Sequence, residues 1–254
     1  MPQFKSALSF VHFSSSVRYH CRYARTADTE AFLSALADTA EARSRDLPSD
    51  STYWRAQLGV ATVERKLEDA DANLTVYTDV DVPFPAERMV PLRHAAQEGR
   101  VNPKGIPCLY LATDKETAMS EIRPWLGAKL SVAIFRTERA LRIVDCSIHH
   151  DSHWLLKLPW DNPSPEQITE AIWAQVDEAF SEPITDDVAT AAYAPTQVIA
   201  EAFRQRGFDG VVYRSKLGPG FNLALFDLDC AKPVVRRLFK TTRVAFEFAE
   251  EQTS

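Results

Sequence analysis

The stretch 98–124, EGRVNPKGIPCLYLATDKETAMSEIRP, places an arginine, a tyrosine and a glutamate among turn formers and one apolar run. Arg100 follows Gly99 and precedes Asn102-Pro103-Lys104-Gly105, so it sits on a loop entering a strand. A guanidinium there suits bidentate phosphate binding, but an isolated loop arginine is more often a solvated surface group. Tyr110 lies within the apolar run Cys108–Ala112. Its ring is either core or a wall for a flat ligand with a hydroxyl donor. Glu121 stands three residues before Pro124, near the end of a short predicted helix, where the macrodipole favours cations. A carboxylate at such a place can grip a ribose hydroxyl and stabilise positive charge at an anomeric carbon during glycosidic cleavage. Ser215 and Asn222 flank the turn Lys216-Leu217-Gly218-Pro219-Gly220. Both residue types can bind a ligand amide or diphosphate, and both commonly bond their own turn. Taken singly, each of the five favours an ordinary structural role over a chemical one.

The elements that must position them follow from periodicity and punctuation. Cys108–Ala112 reads as a buried strand, and the segment after it as a helix stopped near Pro124. Residues 129–137 and 141–147 alternate as strands. Ser164 and Pro165 open an amphipathic helix over 164–183, and a second helix over 194–207 closes on Gly207. Two further strands, FDGVVYRS and FNLALFD, bracket the Gly-rich turn. Near the start, Phe32, Leu33, Leu36 and Ala40 predict a helix within 26–45, capped by Thr26 or Thr29. Helices and strands do not alternate regularly, so the fold class is α+β and not a doubly wound sheet. Pro48 and its acidic neighbours place a boundary near residue 50: an N-terminal extension over 1–50, a catalytic domain over 51–240 and a tail over 241–254.

Composition excludes several classes. The 254 residues carry 29 Lys+Arg against 35 Asp+Glu, a net charge of −6, without the basic footprint of a nucleic-acid binder. No apolar run reaches membrane-spanning length. Cys21, Cys108, Cys146 and Cys230 are scattered, with no C-x-x-C pair, which predicts a reducing compartment and a cytoplasmic protein. The histidines of HHDSHW (149–154) lack a metal-ligand spacing, so no metal site is expected. KLGPGFN is not a dinucleotide fingerprint, and no hydrolase nucleophile motif is present.

The blocks GRVNPKGIPCLYLATDKETAMSE and YAPTQVIAEAFRQRGFDGVVYRSKLGPGFNLALFD strongly resemble the RES-domain family, named for an arginine, a glutamate and a serine. The resemblance runs from about YWRAQLG to Asp229. It implies a fold similar to ADP-ribosyltransferases, a mixed or antiparallel β core with flanking helices, and NAD+ as substrate. By motif, the family's arginine falls on Arg100, its tyrosine on Tyr110, its glutamate on Glu121 and its serine on Ser215. Arg55 looks like the family's early arginine and Asn222 like the asparagine after the serine. The sequence departs from the family's G-G-R-W-N at Glu98 and Val101. Many members are toxins that degrade NAD+ by hydrolysis or phosphorolysis, or that transfer ADP-ribose to a protein. The resemblance therefore implies Arg100 and Arg55 on the diphosphate and Tyr110 against nicotinamide or its ribose. Glu121 would act on the ribose, with Ser215 and Asn222 on the nicotinamide side. It also implies a cognate antitoxin of the Xre helix-turn-helix type. The contrasting expectation is a non-catalytic module that binds a nucleotide or a protein.

Overall fold

The computed structural model describes residues 3–69, 74–148, 158, 162–183, 189–245 and 247–250. The HHDSHW segment lies outside them. Two helices come first, α1 (Ser9–Tyr19) and α2 (Ala27–Thr39), the latter capped by Thr26, whose hydroxyl accepts the Thr29 N–H. Then follow β1 (Ser44–Leu47), β2 (Thr52–Leu58) and a long hairpin, β3 (Ala61–Asp69) with β4 (Leu74–Val82). After the single turn α3 (Ala86–Met89) come β5 (Leu109–Ala112), α4 (Lys115–Glu121), β6 (Lys129–Thr137) and β7 (Leu141–Asp145). The chain ends with α5 (Pro165–Ser181), α6 (Ala189–Ala192), α7 (Ala194–Gln205), β8 (Gly210–Arg214), β9 (Phe221–Leu225) and β10 (Ala231–Lys240).

Eight strands form one sheet in the order β1-β7-β8-β9-β5-β2-β6-β10, antiparallel except for β7 with β8. A parallel pair needs a long crossover. Here α5 to α7 supply it, and they cover one face with α1 and α2. The result is an α+β fold with a mostly antiparallel sheet and flanking helices, as expected. β1 and β2 stand at the first and sixth places of the order, yet only residues 48–51 separate them. Four residues reach about 17 Å at most, at roughly 3.5 Å per step. The sheet must therefore fold round until the end of β6 meets the start of β7. Two hydrogen bonds close that corner, from Asp50 N to Thr137 O at 2.9 Å and from Thr137 N to Ser51 O at 3.0 Å.

Local sequence accounts for the helices. α5 begins with a full capping box between Ser164 and Gln167 and with Pro165 at its first position. α7 is followed by Gly207 at φ 81°, the left-handed conformation that ends helices. Burial decides the rest. The larger core joins Phe13, Phe32 and Leu36 of the first helices to Trp173 and Phe180 of α5, Phe203 of α7 and Val211 of β8. The first fifty residues thus share a core with the later helices, and β1 adds an edge strand to the main sheet. A buried ion pair reinforces this: Arg43 Nη1 lies 3.3 Å from Asp177, and its guanidinium stacks 4.2 Å from the Trp173 ring centroid. Cys108 and Cys146 are buried small hydrophobes, as their apolar neighbours predict.

Candidate active site

The cleft is built at the middle of the sheet. Register places Ala112 opposite Asn222 and Asn222 opposite Tyr213, so Tyr110, Ala112, Tyr213 and Asn222 share one face. α4 lies across that face with Asp114 as its cap, accepting the Thr117 N–H at 2.8 Å. The Gly-rich turn 216–220 is laced to the start of α4. Gly220 N donates to Thr117 Oγ1 at 2.8 Å, and Phe221 N donates to Thr113 Oγ1 at 3.0 Å. A Cβ on Gly218 would lie 2.6 Å from the Thr117 backbone, and one on Gly220 would collide with Asp114. Only glycine lets the turn approach so closely. With that turn fixed at one end of α4, its flanking residues meet Glu121 at the other. Glu121 Oε1 accepts from Ser215 Oγ at 2.6 Å and from Asn222 Nδ2 at 2.6 Å. Ser215 Oγ in turn accepts the N–H groups of Leu217 at 3.1 Å and Gly218 at 2.9 Å, so its proton is directed at the carboxylate.

The arginine loop is fixed from both sides. Tyr110 donates its hydroxyl to Asn102 Oδ1 at 2.7 Å and accepts the Val101 N–H at 2.9 Å. The hydroxyl is engaged within the protein, while the ring lines the cleft. Burial pushes the Tyr110 hydroxyl's pKa well above its ordinary value, so it stays a neutral donor. From α7, Thr196 Oγ1 donates to Arg100 O at 2.6 Å, and Gln197 Nε2 donates to Gly99 O at 2.9 Å and Asn102 O at 3.1 Å. Arg100 donates Nη2 to Glu182 O at 2.7 Å and Nη1 to Phe180 O, and it lies 5.3 Å from the Tyr213 ring centroid. Those carbonyls close the C-terminal end of α5, a negative helix terminus. The Arg100 Nε is buried without a partner. Gly99 is required by contact, since a Cβ there would sit 2.6 Å from the Tyr110 hydroxyl. Gly99→Ala is expected to displace the loop and to lower the unfolding free energy by about 1–3 kcal/mol, as overpacking does. A urea melt equal to that of wild type would show instead that the loop has room to give.

Arg55 on β2 donates Nη1 to Tyr110 O at 2.8 Å, and its Nε is buried and unpartnered. Burial without a carboxylate beside it lowers its pKa to about 10.

Two adjoining lobes result. One, of about 310 Å³, is lined by Trp54, Arg55, Tyr110 and Tyr213, with Asn222 at its floor. The other, of about 220 Å³, is polar and holds Arg123, Ser181 and Lys216. Arg100, Glu121 and Tyr193 line both, so the carboxylate stands at their junction. Five of the six side chains that the sequence singles out therefore line one cleft, and the sixth, Ser215, lines neither lobe but bonds Glu121. Sequence reasoning missed Asn102, Thr196 and Gln197, which position the arginine loop, and the walls Trp54, Tyr193 and Tyr213. The one signal for the α7 pair is their being polar in a helical turn whose neighbours, Val198 and Ile199, are apolar, all four being buried. Among the described residues, no group of three or more His, Cys, Asp or Glu could hold a metal, and no helix is long and apolar enough to cross a membrane.

A family model described as the RES domain matches residues 78–246, two thirds of the chain. The chain belongs to the RES-domain family. Arg100, Tyr110, Glu121, Ser215 and Asn222 of this RES protein all fall within the matched span, whereas Arg55 precedes it. Among solved structures, the M. tuberculosis MbcT–MbcA toxin–antitoxin complex contains a similar chain at 15% identity and a TM-score of 0.41. That likeness covers 82% of this chain and 92% of that one. No curated protein matches the sequence.

Proposed function

We propose that this RES protein binds NAD+ across the two lobes and cleaves its nicotinamide–ribose bond. The observation that carries the reading is the Glu121 carboxylate at the junction of an aromatic lobe and a cationic one. A dinucleotide needs both kinds of surface, flat walls for rings and cations for its diphosphate. Cleavage breaks the C–N bond, and the electron pair leaves on the nicotinamide nitrogen, neutralising the pyridinium. Positive charge then develops on the ribose anomeric carbon and ring oxygen, where a fixed carboxylate lowers the barrier. Ser215 and Asn222 hold Glu121 in place before any ligand arrives, and that preorganisation is the source of electrostatic catalysis. Arg100 and Arg55 offer their guanidinium groups to the diphosphate from the walls of the cleft, and Tyr110 presents its ring to the nicotinamide side.

Addition of water or phosphate to the cation makes the enzyme an NAD+ glycohydrolase or phosphorylase, and its action a depletion of cellular NAD+. Addition of a protein side chain instead makes it an ADP-ribosyltransferase. Family membership further supports a toxin role in the cytoplasm with a cognate Xre-type antitoxin. The test is mass spectrometry of the purified protein incubated with NAD+, with and without phosphate. Release of free nicotinamide together with ADP-ribose, or its 1-phosphate, is the expected result. Intact NAD+ under both conditions would leave a transferase without its target or a non-catalytic module.

The half-buried Arg55, with its Nε shut away from water, carries a second prediction. Without a ligand it is an uncompensated cation, which disfavours the folded state. Arg55→Met is expected to raise the unfolding free energy by about 1 kcal/mol. The same change should weaken NAD+ binding, an activity–stability exchange readable by paired melts and titrations. A lower melting temperature would show that the bond to Tyr110 O outweighs the burial of charge.

A further inference from the structure

β10 ends the sheet: it pairs with β6, and no described strand pairs with its other side. An open edge is a row of unpaired N–H and C=O groups, a template for another strand. One end is guarded by Pro233, which has no N–H, and by the bulge between Pro233 and Val235. From Val235 to Lys240 the register with β6 is continuous, and Val235 and Leu238 are 39% and 38% exposed. This edge is cationic in a protein whose net charge is −6: residues 231–246 hold five Lys or Arg and no Asp or Glu. Lys232 pairs with Glu138 and Arg236 bonds Phe84 O, whereas Arg237, Lys240 and Arg243 meet no carboxylate among the described residues. Cations keep two such edges apart, and they attract a strand that carries carboxylates. Beside the end of β10 lies the turn after α4, since Thr241 N donates to Ala128 O and Gly127 N to Thr241 O, both at 2.9 Å. That turn displays Trp125 and Leu126, 65% and 67% exposed, the kind of apolar anchor on which interfaces centre.

The chain itself contains a complementary strand. In VAFEFAE (244–250), Val244, Phe246 and Phe248 stand at every second position, with Glu247 and Glu250 among them, a β pattern that carries carboxylates. Val244 and Phe248 are 38% and 92% exposed, and Glu247 and Glu250 meet no cation among the described residues. Extended, the segment spans about 23 Å, close to the open part of β10 at about 20 Å. Return onto its own β10 would need a tight hairpin at Thr241–Arg243, which offers no Gly, Asn or Asp and where Thr241 still bonds Ala128. We propose that the open edge of β10 is a homodimer surface, to which residues 244–250 of a second copy are added as a strand. Reciprocal exchange of the two tails about a two-fold axis closes the assembly at two copies. Arg237 and Lys240 then take the carboxylates of the incoming Glu247 and Glu250, and its apolar side chains cover Trp125 and Leu126.

Sedimentation velocity on the full chain, with no NAD+ present, tests it. The wild type is expected to dimerise reversibly, and to dissociate more in about 1 M salt than in about 0.1 M. Two double variants, Arg237→Glu/Lys240→Glu and Glu247→Lys/Glu250→Lys, reverse exposed charges on the edge and on the tail. Each should keep the wild-type melting temperature and lose about tenfold in dimer affinity. Mixed in equal amounts, the two variants should recover a dimer, because every tail then meets an edge of opposite charge. A wild type that stays monomeric across a concentration series overturns the proposal. So does a dimer equally stable in both variants, which would place the interface elsewhere, and so does a mixture no more associated than its separate components.

Discussion

Replacing Glu121 by Gln is expected to reduce nicotinamide release from NAD+ by about 10²–10³-fold, the scale on which a preorganised electrostatic group acts. The substitution is nearly isosteric. An amide oxygen can still accept from Ser215 and Asn222, the two donors that now converge on Glu121 Oε1. The pocket should keep its shape, and NAD+ should still bind, because the ring walls and Arg100 are untouched. What disappears is the negative charge beside the developing oxocarbenium. The loss should therefore fall on kcat far more than on KM, since it concerns an interaction that strengthens only in the transition state. Single-turnover release of nicotinamide, followed by mass spectrometry beside a thermal melt, checks both halves. Wild-type turnover in a folded Glu121→Gln protein would remove the carboxylate from the mechanism. Lost turnover with a lowered melting temperature would point to the hydrogen-bond triad as scaffold only.

The second large effect concerns the fold. Asp177 is fully buried, and Arg43 is 7% exposed. Their contacts at 3.3 Å join the turn after α2 to α5, and Arg43 Nη1 also donates to Asp145 O at 3.2 Å. Asp177→Ala leaves a buried guanidinium without its counter-charge, a change that costs about 3–5 kcal/mol. In a chain of this size that corresponds to a fall of about 10 °C in melting temperature. The double variant Arg43→Met/Asp177→Leu should recover most of the loss, since neither charge is then buried without the other. Circular-dichroism melts of the three proteins distinguish the cases. An Asp177→Ala protein that melts with the wild type would mean that water or a neighbouring group compensates Arg43. It would also weaken the view that residues 40–43 are an integral part of the core.

The legible parts of this protein are those with a local cause. Ser164-Pro165 with Gln167 starts a helix wherever it is placed, and Gly207 ends one, so α5 and α7 could be read directly. Apolar alternation marked β6 and β7, and the Gly-rich turn marked the pair β8–β9. The hairpin β3–β4 escaped notice. One face carries Val63, Leu67, Val76 and Val80, but Arg65 and Thr78 interrupt it and Glu64, Lys66, Asp79 and Asp81 stand at alternate positions. β10 escaped for a similar reason, because Arg236 and Arg237 interrupt its apolar pattern.

The candidate site divides along the same line. Residue types and motif placed Arg100, Tyr110, Glu121, Ser215 and Asn222 on one list, and the RES resemblance followed from the sequence alone. The sequence could not say what those side chains touch. Glu121 meets Ser215 and Asn222 across separations of 94 and 101 residues, brought together by the register of β9 on β5 and by the close packing of Gly218 and Gly220 on α4. Tyr110 reads as a ring with a free hydroxyl, yet the fold directs that hydroxyl to Asn102 and leaves only the ring to the cleft. Arg100 reads as a loop arginine, and tertiary structure sets it against the end of α5, with Thr196 and Gln197 holding its backbone. Chemistry was determined by residue type, which sequence records. Geometry was decided by long-range packing and by the matching of buried polar groups, which depend on partners far away in the chain and exist only once it has folded.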